Sequence, residues 1–284
     1  MNARNFFREY VLQIQQVMEP SAAVQVAETL LEHFAGISRR QMILNPDMEL
    51  TAAMVQQLES VLPRLKQHEP VQYITGIAWF YDMQFKVSAA VLIPRPETEE
   101  LVEKVIDQCS NLPAPCLLDV GTGSGCIAIT LKKHLPQALV TAVDVSKDAL
   151  HIAMHNAQQL GSEVHFKQLN FLNEGERNSL STYDCIVSNP PYIPETESAM
   201  MDENVVRYEP ELALFAADHL VFYKALAHFG KTHLSPGGYL FCEIHQQFSD
   251  DVLKLFESEG YQAVAHKDIS GNFRMVKATL FHSP

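Results

Sequence analysis

In CLLDVGTGSGCIAITL, residues 116–131, a short run that is apolar but for Asp119 gives way to three glycines, Gly121, Gly123 and Gly125, and then to apolar residues at helical spacing. A strand running through a glycine loop into a helix opens a wound α/β sheet. The glycines allow left-handed backbone and close approach of a ligand, and the helix N-terminus offers amide donors. Outward from this unit the pattern repeats. Further strand-like runs fall at 139–143, 164–169, 183–188, 239–244, 261–265 and 274–281, and helical stretches at 97–109, 125–135, 147–160, 219–234 and 249–259. Strands alternating with helices imply right-handed crossovers and a largely parallel sheet covered on both faces. The last two strands have only a short connection, around 267–273, so they are expected to pair antiparallel at the end of the sheet.

Upstream the period changes. Between residues 4 and 68 apolar residues recur at three- and four-residue steps, as in Phe6, Tyr10, Val11, Ile14 and Val17, then Val26, Leu30 and Phe34, then Val55, Leu58, Leu62 and Leu65. This predicts a small helical unit, with Ser21 and Thr51 as N-caps and Gly36 and Pro46 as punctuation. From Trp79 to Val87 the order alternates as in a strand with unlike faces, and 71–93 is expected to be a β-hairpin linker. The expected division is therefore a helical recognition domain over 1–70, the linker over 71–93, and an α/β domain over 94–284.

The net charge is -13, from 21 Lys+Arg against 34 Asp+Glu, and no third of the chain is basic. Unassisted binding to nucleic acid, which needs a positive face to neutralise phosphates, is disfavoured. With 47% hydrophobic and 19% charged residues, disordered and collagen-like chains are excluded. The five cysteines make no metal-ligand spacing, so they are expected to be reduced and buried, with no metal site. The first residues carry polar and charged side chains where a signal peptide needs an apolar stretch, and no run is long enough to span a membrane, which predicts a cytoplasmic protein.

Glycine spacing narrows the ligand. A dinucleotide fingerprint starting at Gly121 would need glycine at 126, where Cys126 stands; G-x-G-x-G is the form usual in enzymes that use S-adenosylmethionine. Asp144 ends the next strand about 20 residues on, where a carboxylate can accept from ribose hydroxyls, although it could also serve the turn before the helix at 147, a role open to Ser146. Asp119 either supports the loop amides or lies near the cofactor's sulfonium, and the cofactor side is the favoured one.

After the strand YDCIVS comes Asn189-Pro190-Pro191-Tyr192. The prolines fix the backbone and remove two amide donors at the carboxyl end of a parallel strand, where ligands bind in such sheets. The Asn189 side-chain oxygen and the Pro190 carbonyl form an acceptor pair able to hold both N–H groups of a planar nitrogen, with Tyr192 against its flat face. Either an amide or an exocyclic adenine amine fits that description.

These residues, with EPVQYITG (69–76), LIPRPETEELV (92–102), DVGTGSG (119–125), VSNPPYI (187–193), RYEPELAL (207–214), SPGG (235–238) and DISGNFR (268–274), resemble the HemK/PrmC family of protein-glutamine N5-methyltransferases over nearly the whole chain. The resemblance implies a Rossmann-like seven-stranded S-adenosylmethionine-dependent methyltransferase domain behind a small helical domain and a β-hairpin. The implied acceptor is the glutamine of the Gly-Gly-Gln motif in peptide-chain release factors; a ribosomal-protein glutamine and adenine-N6 are the alternatives. It further implies that Gly121, Thr122, Gly123, Ser124, Gly125, Asp144, Phe171 and Asn189 bind the cofactor, and that Asn189, Pro190, Pro191 and Tyr192 hold the substrate, with Asn189, Pro190 and Tyr192 catalytic. S-adenosylhomocysteine would be the product, without metal, and the enzyme a monomer that binds neither membrane nor nucleic acid stably. Arg95, Thr98 and Glu99 would floor the pocket or cap the helix beginning near Glu97, and Phe80 and Phe85 would either contact the release factor or, as strand aromatics more often do, belong to the core. Two departures stand out: Asn170 replaces the family's usual acid near the adenine amine, and His245 replaces a glycine.

Overall fold

Strands buried on both faces must be apolar on both sides, and that is why the central runs were visible. In the computed structural model, which describes residues 1–194, 196, 201–216 and 218–280, the chain divides into two units: 1–77 with 202–208, and 78–201 with 209–284.

The first unit is helical, with α1 (Ala3–Ile14), α2 (Pro20–Ala35), α3 (Arg39–Leu44), α4 (Ala52–Leu65), α5 (Val71–Thr75) and, after the long excursion of the chain, α10 (Glu203–Tyr208). The spaced residues Phe6, Tyr10, Ile14, Leu30, Leu58, Leu62 and Leu65 form its core. The buried Tyr10 hydroxyl donates to the Leu58 carbonyl at 2.6 Å, so the phenol adds bulk without an orphaned polar atom. Thr51 caps α4 as expected, accepting from the Met54 amide, and Gly36 ends α2 in the left-handed conformation. Ser21 does not cap α2. Pro20 takes the first helical position, where a missing N–H costs nothing, and this moves the cap back to Glu19. Between them Ser38 and Gln41 build a capping box at α3.

A hairpin of β1 (Ile77–Phe80) and β2 (Met83–Lys86) follows. The alternation expected from Trp79 to Val87 is broken at Tyr81 and Asp82, both at positive φ as a tight hairpin turn requires. The turn resets the phase, so Ala78, Phe80, Phe85 and Val87 point inward together and Trp79 stays exposed. Phe80 and Phe85 are fully buried and meet edge to face at 6.0 Å, so they are core residues and not contacts for a partner.

The second unit continues with α6 (Pro96–Cys109), β3 (Cys116–Val120), α7 (Cys126–His134), β4 (Leu139–Asp144), α8 (Lys147–Gln159), β5 (His165–Gln168), α9 (Glu174–Arg177), β6 (Tyr183–Ser188) and β7 (Ile193–Pro194). After α10 come α11 (Glu211–Leu214), β8 (Phe215–Ala216), α12 (Val221–His233), β9 (Leu234–Glu243), α13 (Ser249–Ser258), β10 (Tyr261–Lys267) and β11 (Phe273–Leu280). Residue 281, the last of the expected terminal strand, lies outside the described residues. Seven strands form one sheet in the order β10-β11-β9-β6-β3-β4-β5. All its neighbours are parallel except β9–β11 and β11–β10, so the antiparallel end is where the short last connection put it.

Successive residues of the sheet face opposite cores. Leu118, Ile186, Leu240 and Phe256 belong to one, and Leu117, Val187, Phe241 and Ile129 to the other. The strand order reverses direction at β3, with β4 on one side and β6 on the other. The carboxyl ends of these strands therefore open onto a crevice, the place where wound sheets bind ligands. The pieces α9, α10, α11, β7 and β8 were not expected from the sequence. They are two to six residues long, too short to display a period.

Candidate active site

The glycine loop leaves β3 with Gly121, Gly123 and Gly125 all at positive φ. The Gly121 and Thr122 amides both donate to the Val143 carbonyl on β4, at 2.9 and 3.0 Å, and the Gly123 amide donates to Asp144 Oδ2 at 2.9 Å. The other Asp144 oxygen accepts from the Ser146 amide at 2.9 Å, while Ser146 itself caps α8 through the Ala149 amide. Asp144 is thus no helix cap but a brace between loop and strand end. Burial pushes its pKa up, against the backbone donors that favour its charged form.

Asp119 takes the loop-support role and not the cofactor role favoured from sequence. It is fully buried and accepts the Thr122 hydroxyl at 2.6 Å, and burial pushes its carboxyl up to about 7. The buried Asn156 side chain ties the loop to the hairpin, donating to the Ser124 and Lys86 carbonyls and accepting from the Lys86 amide.

The three glycines are unequal. A Cβ on Gly121 or Gly123 would meet open space, whereas one on Gly125 would lie 2.9 Å from Ile129 Cδ1 and 3.1 Å from Ala153 Cβ. Gly121 and Gly123 border open space; Gly125 lets α7 and α8 approach. Gly125→Ala is therefore expected to lower stability by about 2 kcal/mol, and Gly123→Ala by about 1 from backbone strain alone. Urea unfolding of the two variants checks this, and equal losses would contradict it.

One cavity collects Gly121, Thr122, Gly123, Ser124, Asp144, Phe171, Asn189 and Pro191, together with Arg95, Thr98 and Asn170. Gly125, Pro190 and Tyr192 are not among its lining residues. Phe171 is held edge to face against Phe229 at 5.2 Å. The Asn170 side-chain oxygen accepts from the Leu172 amide at 3.0 Å, so it shapes the turn beside the cavity.

On the other side of β3, the buried Ser188 hydroxyl donates to the Val120 carbonyl at 2.8 Å and joins β6 to β3 just before Asn189. Asn189 Nδ2 donates to Thr98 Oγ1 at 3.1 Å, and Thr98 Oγ1 donates to Glu243 Oε2 at 2.7 Å. Tyr192 donates to Glu243 Oε1 at 2.9 Å. Glu243 is buried at the carboxyl end of β9; burial raises its pKa, while its two side-chain donors and Arg274 favour the charged form. Arg95 donates to the buried Glu209, which also accepts from the Ile93 amide at 3.2 Å and so fixes the IPRP segment. Thr98 and Arg95 reach the cavity, but Glu99 turns away to accept from the Tyr81 amide of the hairpin turn. His245 sits at φ -70°, a conformation open to any residue, and its Nδ1 accepts from the Gln247 amide; no glycine is required there.

Sequence reasoning assigned no role to Glu243 or Glu209. The available signal was a lone carboxylate closing the apolar run YLFCE, at the same sheet edge as Asn189 and the glycine loop.

This arrangement fits a nucleoside cofactor. The loop glycines leave open space, a half-buried carboxylate ends β4, and Leu169, Phe171 and Val145 give apolar walls for a base. Fold and site together define an S-adenosylmethionine-dependent methyltransferase. A methyltransferase from Pyrococcus furiosus shares the fold, with a TM-score of 0.51 and 19% identity over 70% of this chain and 89% of that one. Family profiles agree: residues 8–76 match the PrmC N-terminal domain, and residues 98–212 the methyltransferase small domain. The chain is 40% identical to the release factor glutamine methyltransferase of Bacteroides thetaiotaomicron, over 96% of its own length and 99% of the relative's, and 38% identical to that of Flavobacterium psychrophilum over 98% and 99%. It belongs to the release factor glutamine methyltransferase family.

Proposed function

We propose that this protein transfers the methyl group of S-adenosylmethionine to the side-chain amide nitrogen of the glutamine in the Gly-Gly-Gln motif of peptide-chain release factors, leaving S-adenosylhomocysteine. The observation that carries the reading is the convergence of the glycine loop, Asp144 and Asn189 on one cavity at the point where the strand order reverses. When bound, the cofactor supplies a methyl carbon made electrophilic by its sulfonium. Asp144 accepts from the ribose hydroxyls, and Phe171 packs against the base.

An amide nitrogen is a poor nucleophile because its lone pair is delocalised into the carbonyl. Asn189 Oδ1 and the Pro190 carbonyl accept its two hydrogens, which fixes the nitrogen and favours a lone pair directed at the methyl carbon. Tyr192, anchored through its hydroxyl, limits movement of the planar amide. No strong base is needed, because the nitrogen becomes cationic on transfer and then loses its proton readily.

The acidic chain suits a protein acceptor over free nucleic acid. Labelled S-adenosylmethionine should label recombinant release factor, and not DNA or RNA offered beside it. A Gln→Ala change in the Gly-Gly-Gln motif should abolish the signal; label persisting in that variant would refute the assignment. A soluble, monomeric enzyme acting in the cytoplasm completes the reading, and no helix among the described residues is long and apolar enough to cross a membrane.

A further inference from the structure

We propose that Thr98 and Glu243 act as positioning residues that set which end of the Asn189 carboxamide faces the substrate. The proposal rests on the reading of Asn189 as an acceptor for the glutamine amide. A carboxamide has two ends of nearly equal size and opposite polarity. With its oxygen toward the substrate, Asn189 accepts an N–H; turned over, it would set its own NH2 against the NH2 it must hold.

Shape cannot choose between these states, so hydrogen bonding must. Thr98 alone would not choose either, because a hydroxyl both donates and accepts. The choice is made one residue further back. Both Glu243 oxygens act as acceptors, and its Oε2 takes the Thr98 hydroxyl hydrogen at 2.7 Å. The Thr98 oxygen is left as an acceptor, and only the Nδ2 end of Asn189 can satisfy it, at 3.1 Å. Tyr192 occupies the other carboxylate oxygen, so the polarity of the chain runs from a fixed carboxylate through a hydroxyl to the amide. The three side chains come from α6, β9 and the loop after β6, and Thr98 and Glu243 are both nearly inaccessible to water, which could otherwise satisfy either orientation.

A double-mutant cycle tests this with the full-length enzyme, labelled cofactor and recombinant release factor. Thr98→Val keeps the shape of the side chain and removes the hydroxyl; it should lower kcat about tenfold with cofactor affinity unchanged. Thr98→Ser should recover most of that loss. In an Asn189→Ala background, Thr98→Val should cost nothing further, because there is no carboxamide left to orient. Thr98→Ala, which also lacks the hydroxyl and introduces no new bulk, repeats the cycle should the valine variant fold poorly. An equal loss in both backgrounds would make Thr98 merely structural and overturn the proposal, as would wild-type kcat in Thr98→Val. Wild-type turnover in Asn189→Ala alone would instead overturn the acceptor reading beneath it.

Discussion

Asn189→Ala should lower turnover on release factor about a hundredfold or more, with a much smaller change in affinity for the cofactor. The asymmetry follows from what the side chain does at each stage. In the ground state the glutamine amide loses one hydrogen-bond acceptor, and water can replace part of it. During transfer the nitrogen gains positive charge and its hydrogens become stronger donors, so an acceptor held in place contributes most at that moment. The side chains nearest to it are otherwise engaged. Thr98 offers a hydroxyl already committed to Glu243, and Arg95 is a donor paired with Glu209. Single-turnover measurement at saturating cofactor separates the two quantities. Unchanged turnover, or a loss that lies wholly in cofactor binding, would remove Asn189 from the chemistry.

The central strands β3 and β6 were legible because strands buried on both faces write themselves as apolar runs, and the long helices because their buried faces keep a helical period. Short-range features failed where a neighbour overrode a local rule. Pro20 displaced the cap from Ser21, and a two-residue turn at Tyr81 and Asp82 reset the phase of the alternation, so that Phe80 before it and Phe85 after it are both buried while Trp79 is exposed.

The two halves of the candidate site were visible as motifs, since each is continuous in sequence. What holds them was not. Glu243 meets Thr98 across 145 positions of chain and Tyr192 across 51, and Glu209 meets Arg95 across 114. No periodicity or spacing encodes such pairs; only the folded chain brings the start of α6 to the end of β9, the loop after β6 and the link between α10 and α11. Asp119 was misjudged for a related reason. Its position beside the glycine loop was plain, but whether it faced the crevice or the core depended on the strand's phase within the folded sheet.

Asp144→Ala should weaken S-adenosylmethionine binding by about 1 to 3 kcal/mol, up to roughly a hundredfold, through loss of hydrogen bonds to a charged acceptor. An ionised carboxylate offers about four lone-pair sites. In this structure the Gly123 and Ser146 amides use one on each oxygen and the Val145 amide is also directed at the carboxylate, so the sites that remain are the ones open to ribose hydroxyls. The same group therefore shapes the loop and receives the ligand, and it needs its charge for both. Burial pushes its pKa up, so protonation begins at a higher pH than for an exposed aspartate. Protonation converts one acceptor into a donor. Affinity should therefore be full where the carboxylate is ionised and should fall as pH drops through that raised range. Asp144→Asn mimics the protonated form; its affinity should start below wild type near neutral pH and converge with it in acid. Titration calorimetry of wild type and both variants from pH 8 downward tests the sequence of effects. Wild-type affinity in Asp144→Ala would deny the ribose role. A gap between Asn and wild type that stayed constant with pH would deny that the carboxylate's charge is what the cofactor reads.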